Sequence, residues 1–180
     1  FQVKDIDAAQ ANVKIMDEAM KRASYALSKY IDQDIASLHA DAGIKMLNGA
    51  AAYTVGNGAG EQDAYDLIVD VGTKMNEGNV PDDGRWIVLP PWYIGMLFKS
   101  EWFKQSWQNY LQTGQLVVMN GISVLMSNHL KTSGVKTYIM AGTRAAISYA
   151  GQISKLEAYR PENNFSDAIK GLFVYGRKVV

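Results

Sequence analysis

The sequence contains no cysteine, and its two histidines, His39 and His129, lie far apart. Thiolate catalysis, disulfide staples, cysteine-rich zinc sites and thiol redox switching are therefore excluded. A lack of cysteine suits either side of a membrane, so the compartment stays open. No apolar run approaches the ~20 residues needed to span a bilayer. The opening Phe1-Gln2-Val3-Lys4-Asp5 does not have the pattern of a signal peptide, and the reading is of a soluble protein with no membrane partner. An excess of either charge is also missing, because 18 Lys and Arg balance 18 Asp and Glu. Readers of nucleic acid gather basic residues on one face to neutralise phosphates, so neutrality argues against sequence-specific binding. No repeat of solenoid period and no low-complexity tract interrupts the chain. Phe1 in place of methionine, with apolar Val179-Val180 at the other end, suggests a fragment or a processed form of something longer.

What is present is a globular composition: 180 residues, 48% hydrophobic and 20% charged. A chain of this length buries roughly 70% of its unfolded surface, enough for one core or two small lobes without staples. From about Asp7 to His39, Val13, Met16, Met20, Ala23, Leu27 and Tyr30 recur at alternating spacings of three and four, which predicts a helix. The stripe then drifts to Ile31, Ile35 and Leu38, as a 3.6-residue helix drifts against a 3.5-residue template. Asp7 is the candidate N-cap and Gly43 the candidate left-handed C-cap. At 1.5 Å per residue this helix is about 50 Å long, compared with roughly 40 Å for a compact domain of this size. It must cross two lobes or meet another chain, and Tyr25, Tyr30 and Met46 are the side chains on offer for such a contact.

The small, uncharged run from Ala50 to Gly60 reads as a loop or hinge. A second helix is predicted from Glu61 to about Glu77, with Glu61, Asp63 and Asp66 at its positive end and Leu67, Ile68, Val71 and Met75 on its apolar face. It stops at Gly78, and the turn Asn79 to Gly84 leads into a strand, Arg85 to Leu89. Pro90-Pro91 ends that strand and opens a helix from Trp92 to about Phe98. Farther on, Asn120-Gly121 between the apolar runs 116–119 and 122–126 predicts a tight hairpin. A strand at Tyr138 to Ala141, a short helix from Arg144 to Ala150 capped by Thr143, and closing strands at Ile153 to Tyr159 and Gly171 to Val180 complete the pass. The fold class is α+β, with antiparallel hairpins in place of repeated βαβ units.

Candidate chemistry is sparse. Gly56-Asn57-Gly58-Ala59-Gly60 has the spacing of a phosphate cradle, but no Walker lysine follows and Glu61 and Asp63 would repel the anion. Asp82-Asp83 are paired carboxylates of the sort that divide acid and base roles, although adjacent turn residues point apart. His129 follows Ser127-Asn128 without a nucleophile elbow, and reads as a solvated histidine at a strand end. His39 suits the negative end of the long helix. Trp92, Tyr93, Trp102, Phe103, Trp107 and Tyr110 crowd together with only Lys99 and Lys104 among them, which favours core filling and subunit contact over base stacking. No catalytic, cofactor-binding or metal-binding residue is assigned, and no cofactor is expected.

Several segments carry a resemblance in their order. They are Asp5 to Asn12 before the long helix, Asn79-Val80-Pro81 with Arg85 to Pro91, and Gly114 to Asn128 around Gly121. The last and most specific is Glu157 to Ala168 followed by Gly171-Leu172-Phe173-Val174-Tyr175-Gly176. Together they resemble the major capsid proteins of tailed bacteriophages, the Hong Kong 97 fold. The resemblance implies a peripheral lobe built on a long spine helix (1–45), an axial lobe of mixed sheet and helices (46–150) and return strands toward the peripheral lobe (151–180). It implies a structural, non-enzymatic protein whose copies form pentamers and hexamers of an icosahedral shell around double-stranded DNA. Scaffolding, portal and decoration proteins are its expected partners, and the virion, assembled in the host bacterial cytoplasm, its place. In the family an N-terminal arm and an extended loop normally precede the spine helix, whereas this sequence opens almost at that helix, so no residue is assigned to intersubunit cross-linking. The alternatives are an encapsulin-type nanocompartment shell holding a cargo enzyme, and a small-ligand-binding or hydrolytic α+β enzyme using the Gly56 loop and Asp82-Asp83.

Overall fold

The structure, a computed structural model, describes residues 2–4, 15–49, 51–56, 58, 60–100, 118–159 and 166–180. Contacts divide the chain into two compact units, Phe1–Asp32 with Ser148–Lys178, and Gln33–Ile147 with Val179–Val180.

The first unit holds most of helix α1 (Ile15–Ala36) and a three-stranded sheet. No glycine or proline interrupts α1, and Arg22 pairs with Glu18 one turn away, the i,i+4 spacing that supports a solvated helix. The predicted start at Asp7 lies outside the described residues. Every residue from Met20 to Tyr30 is exposed, so the apolar stripe read from the sequence has no cover along this stretch. The sheet runs β1 (Gln2–Lys4), β9 (Ser166–Val179), β8 (Ile147–Tyr159). β1 pairs antiparallel with only Ser166 to Ala168 of β9. Along β9, Phe173, Tyr175 and Arg177 are half-buried while Leu172, Val174 and Lys178 are exposed, the period of two that a one-sided sheet requires.

The structure corrects two expectations here. The predicted helix Arg144 to Ala150 is a single turn, closed by the Ala146 amide donating to Thr143 O at 3.0 Å, after which β8 begins at Ile147. Ile147-Ser148-Tyr149 prefers extended backbone, and pairing with β9 outweighs the local helical preference of Arg144-Ala145-Ala146. At the end of α1 the backbone tightens into a 3-10 helix (Ser37–Asp41), and Ala42, in extended conformation, ends it. Gly43 is absent from the left-handed residues, so it is not the cap expected of it. The turn is held instead by Ser37 Oγ donating to Asp34 O at 2.6 Å and by His39 Nδ1 lying 3.1 Å from Ala36 O.

The second unit is built on α2 (Ala64–Glu77), α3 (Pro91–Leu97) and a sheet ordered β3 (Val118–Met119), β4 (Ile122–Met126), β2 (Trp86–Leu89), β7 (Met140–Gly142). Antiparallel hairpins do not account for all of this sheet. β2 and β4 are parallel, with Trp86 to Leu89 beside Ser123 to Met126, while β7 and β3 are antiparallel to their neighbours. Parallel neighbours need a crossover, and α3 lies on the connection between them. The register puts Ile87, Leu89, Ile122 and Val124 on one face, where they pack with Ala64, Ile68 and Met75 of α2 and Tyr93, Ile94 and Leu97 of α3. On the other face Val118 and Leu125 are exposed and Trp86, Val88 and Met140 half-buried.

Asn120 and Gly121 take φ of 50° and 76°, the pair of positive angles that the predicted two-residue turn demands. α2 starts at Ala64 and not at Glu61, because Asp63 Oδ1 accepts from the Tyr65 amide at 2.7 Å as its N-cap. At its other end Gly78 has φ −79° and the left-handed residue is Asn79 (φ 53°). A Cβ at position 78 would lie 2.5 Å from Ile44 Cδ1, the tip of an exposed side chain that has to turn aside to admit it. A small hairpin, β5 (Thr132–Ser133) with β6 (Lys136–Thr137), turns at Gly134 (φ 60°). The Ser133-Gly134 dipeptide carried that turn signal in the sequence.

Candidate functional site

The glycine loop is already filled by the chain itself. Glu61 folds back so that Oε2 accepts from the Gly58 amide at 2.7 Å, and a Cβ on Gly56 would fall 2.0 Å from that oxygen. The Gly56 amide is also taken, donating to Gln62 O at 3.1 Å. A carboxylate sits where a phosphate would have to go, and repels any incoming anion. Beside it, Val55, Gly56, Glu61, Met96 and Lys99 line a shallow depression of about 240 Å³.

Asp82 and Asp83 do not act as a pair. Asp82 Oδ1 lies 2.7 Å from an Arg85 guanidinium nitrogen, and Asp83 is exposed. Arg85 is the hub that the sequence reading missed. Its side chain is 7% exposed, Nε donates to Pro81 O at 2.9 Å, one terminal nitrogen donates to Asn76 Oδ1 at 2.7 Å, and the other to Val80 O. The planar guanidinium fork thus ties the end of α2 and the turn 79–84 to the first residue of the strand ladder. Its cue in sequence is an arginine standing immediately before the apolar run Trp86 to Leu89. Gly72, Asn76, Asp82, Arg85, Asn120 and Gly121 line a second depression of about 230 Å³. Both depressions fall below the ~300 Å³ at which small-molecule sites begin.

His39 stacks on Tyr138 with ring centroids 4.1 Å apart, and the His129 amide donates to Ser127 Oγ at 3.1 Å, so both histidines sit in local structure. Of the aromatic group, Trp92 is exposed, Tyr93 is buried and meets it edge-on at 5.5 Å, and the members at 102, 103, 107 and 110 lie outside the described residues. Tyr93 OH donates to Ala64 O at 2.9 Å and Ser100 Oγ to Asp63 Oδ1 at 3.1 Å, which locks α3 against the start of α2. Burial pushes the Tyr93 phenol well above its usual range, and the nearby Asp63 charge adds to the shift.

That shift sets a pH dependence. A phenol that ionises at higher pH in the fold than in the unfolded chain contributes stability in full below ~10, the unfolded value, and loses it as pH rises beyond. The melting temperature of the native protein should therefore fall more steeply above pH ~10 than that of Tyr93→Phe, which should cost about 1 kcal/mol at neutral pH for the lost hydrogen bond. Melting curves across that range check this, and parallel curves would show that Tyr93 ionises freely in the fold.

Among the described residues no helix is long and apolar enough to cross a membrane, and no group of three or more His, Cys, Asp or Glu side chains is placed to hold a metal ion. What stands out is surface. Met20, Tyr25, Leu27 and Tyr30 of α1 are exposed, the tyrosines by 68% and 62%. In the second unit Val118, Leu125 and Met126 are exposed likewise.

No protein-family model matches the chain, and no curated protein matches it. Solved structures do. A protein of Mycobacterium phage Che8 superposes over the whole chain with a TM-score of 0.73 and 29% identity. A capsid structure of the cyanophage P-SCSP1u also superposes over the whole chain, with a TM-score of 0.70 and 15% identity. The chain spans 65% and 67% of these two proteins respectively, about two thirds of their length. The α+β arrangement of helices and sheets is therefore one found in phage structures, and the resemblance to phage capsid proteins carried by the sequence motifs holds in three dimensions.

Proposed function

We propose that this chain is a structural subunit of a tailed-phage capsid, of the Hong Kong 97 type, and works by geometry without making or breaking bonds. The observation that carries the reading is the superposition of all 180 residues on a cyanophage capsid structure and on a mycobacteriophage protein. The uncovered face of α1 supports it. A helix in a folded protein owes most of its stability to packing of an amphipathic face, and here that face offers Met20, Leu27 and Tyr30 to solvent, with Tyr25 exposed on the other side of the helix. In this reading α1 is the spine of a peripheral lobe (1–45), residues 46–150 form the axial lobe, and residues 151–180 return toward the periphery. Many copies meet through weak contacts that symmetry multiplies into pentamers, hexamers and a closed icosahedral shell. The balanced charge suits a lining that holds packaged double-stranded DNA without gripping its phosphates. Scaffolding, portal and decoration proteins complete the assembly in the bacterial cytoplasm.

Negative-stain microscopy and sedimentation of the full-length protein test this reading. Closed shells are expected from the native chain. Tyr25→Glu with Tyr30→Glu, both at exposed positions, should leave the monomer's melting temperature within a few degrees and abolish shells. A native protein that stays monomeric at every concentration, with and without scaffolding protein, overturns the proposal. Shells that enclose a protein cargo and no DNA would assign the chain to the nanocompartment alternative.

A further inference from the structure

The first unit ends its sheet on a long strand with an open edge. β8 has β9 on one side, and among the described residues no strand pairs with the other. Its backbone N–H and C=O groups on that side form a template for another strand, which proteins ordinarily block with charge, proline, a bulge or a very short edge. None of the charge or proline devices is present from Ile147 to Ser154, where the sequence is Ile-Ser-Tyr-Ala-Gly-Gln-Ile-Ser, and residues Ser148 to Gln152 are exposed. At the opposite end of the sheet the third strand spans only three residues, so most of the ladder is a two-stranded ribbon, which is marginal in water.

We propose that the outer edge of β8 pairs antiparallel with β8 of a second copy, along Ile147–Gln152, across a two-fold axis. The contact deepens the shell-subunit reading and rests on it, because it names one of the joints between copies. A second copy fits the edge better than a foreign peptide does because the run is compatible with itself. Two-fold pairing centred on any one residue from Ser148 to Gly151 opposes no like charges, since the nearest charged residues are Arg144 on one side and Lys155 on the other and neither faces a charge in those registers. The joint merges two three-stranded sheets into one of six strands and removes both open β8 edges.

The test uses the full-length protein with Ser148→Lys and Ala150→Lys together, two exposed positions on one face of the strand where pairing would bring lysines of both copies together. Ser148→Thr with Ala150→Val, neutral and favourable to strand, serves as the companion variant. Sedimentation velocity should show association of the native chain weakened at least tenfold by the lysines and kept by the companion. Amide hydrogen exchange should show the 147–152 backbone slowed in the associated form relative to the monomer. Equal association by the lysine variant, or shells whose 147–152 amides exchange as in the monomer, overturns the pairing and leaves the shell reading standing. Pairs that protect these amides but never close into shells keep the pairing and remove the shell reading. A native chain that is monomeric throughout removes both.

Discussion

Leu97→Ala is expected to destabilise the second unit by about 3 kcal/mol, within the 2–5 kcal/mol typical of buried leucine truncations. Leu97 is fully buried where α3 packs on the sheet, in a cluster with Ile68, Ile87, Leu89 and Ile122, all at most 1% exposed. Truncation removes the transfer energy of the lost methyl groups and leaves a cavity whose walls resist collapse, because Tyr93 OH and Ser100 Oγ hold the chain in place on either side of Leu97. In a unit of this size each kcal/mol shifts melting by about 4 °C, so a fall of about 12 °C should be seen by calorimetry. The exposed Leu125→Ala, on the opposite sheet face, should move melting by far less. Equal effects of the two would mean that the core does not lie where α2 and α3 meet the sheet.

Arg85→Ala should cost nearly as much, about 2–4 kcal/mol, for a different reason. The guanidinium makes charge-assisted bonds to Asn76 Oδ1, Pro81 O and Val80 O, and truncation leaves three acceptors to find new partners. The Asp82 contact is the minor part. Asp82 is 91% exposed, its pairing is screened by solvent, and Asp82→Ala should cost less than about 1 kcal/mol. Arg85→Lys should not restore stability, because one ammonium on a flexible stem cannot span the carbonyls and the amide that the planar fork reaches. Chemical denaturation of the three variants checks the order Ala, Lys, then Asp82→Ala. Full rescue by lysine would reduce the hub to a simple charge.

The same contrast explains which parts of the molecule were legible. α2, β2, α3 and the Asn120-Gly121 hairpin were readable because each is governed by local chemistry: an apolar face at helical spacing behind acidic residues, a proline that ends a strand and opens a helix, a dipeptide that tolerates two positive φ angles. The segment Arg144 to Ala150 was misread as helix because its first three residues favour helix and the deciding influence, strand β9, lies more than fifteen residues away in sequence. Gly78 was read correctly as a stop, but the left-handed residue that turns the chain there is Asn79, one position later. The Glu61 carboxylate was recognised as hostile to phosphate, but its return into the glycine loop was not foreseen, as a single side-chain rotamer leaves no trace in periodicity.

From residue order alone came the fold class, the amphipathic pattern of α1 and a resemblance to phage capsid proteins, because spacing, capping and motif order are written along one dimension. Tertiary structure alone decided that β2 and β4 run parallel, that Arg85 is buried at a junction of four backbone and side-chain partners, and that among the described residues no strand pairs with the outer edge of β8. Those properties depend on groups distant in the chain meeting in space, and burial, register and pairing are energies of such meetings rather than of any residue by itself.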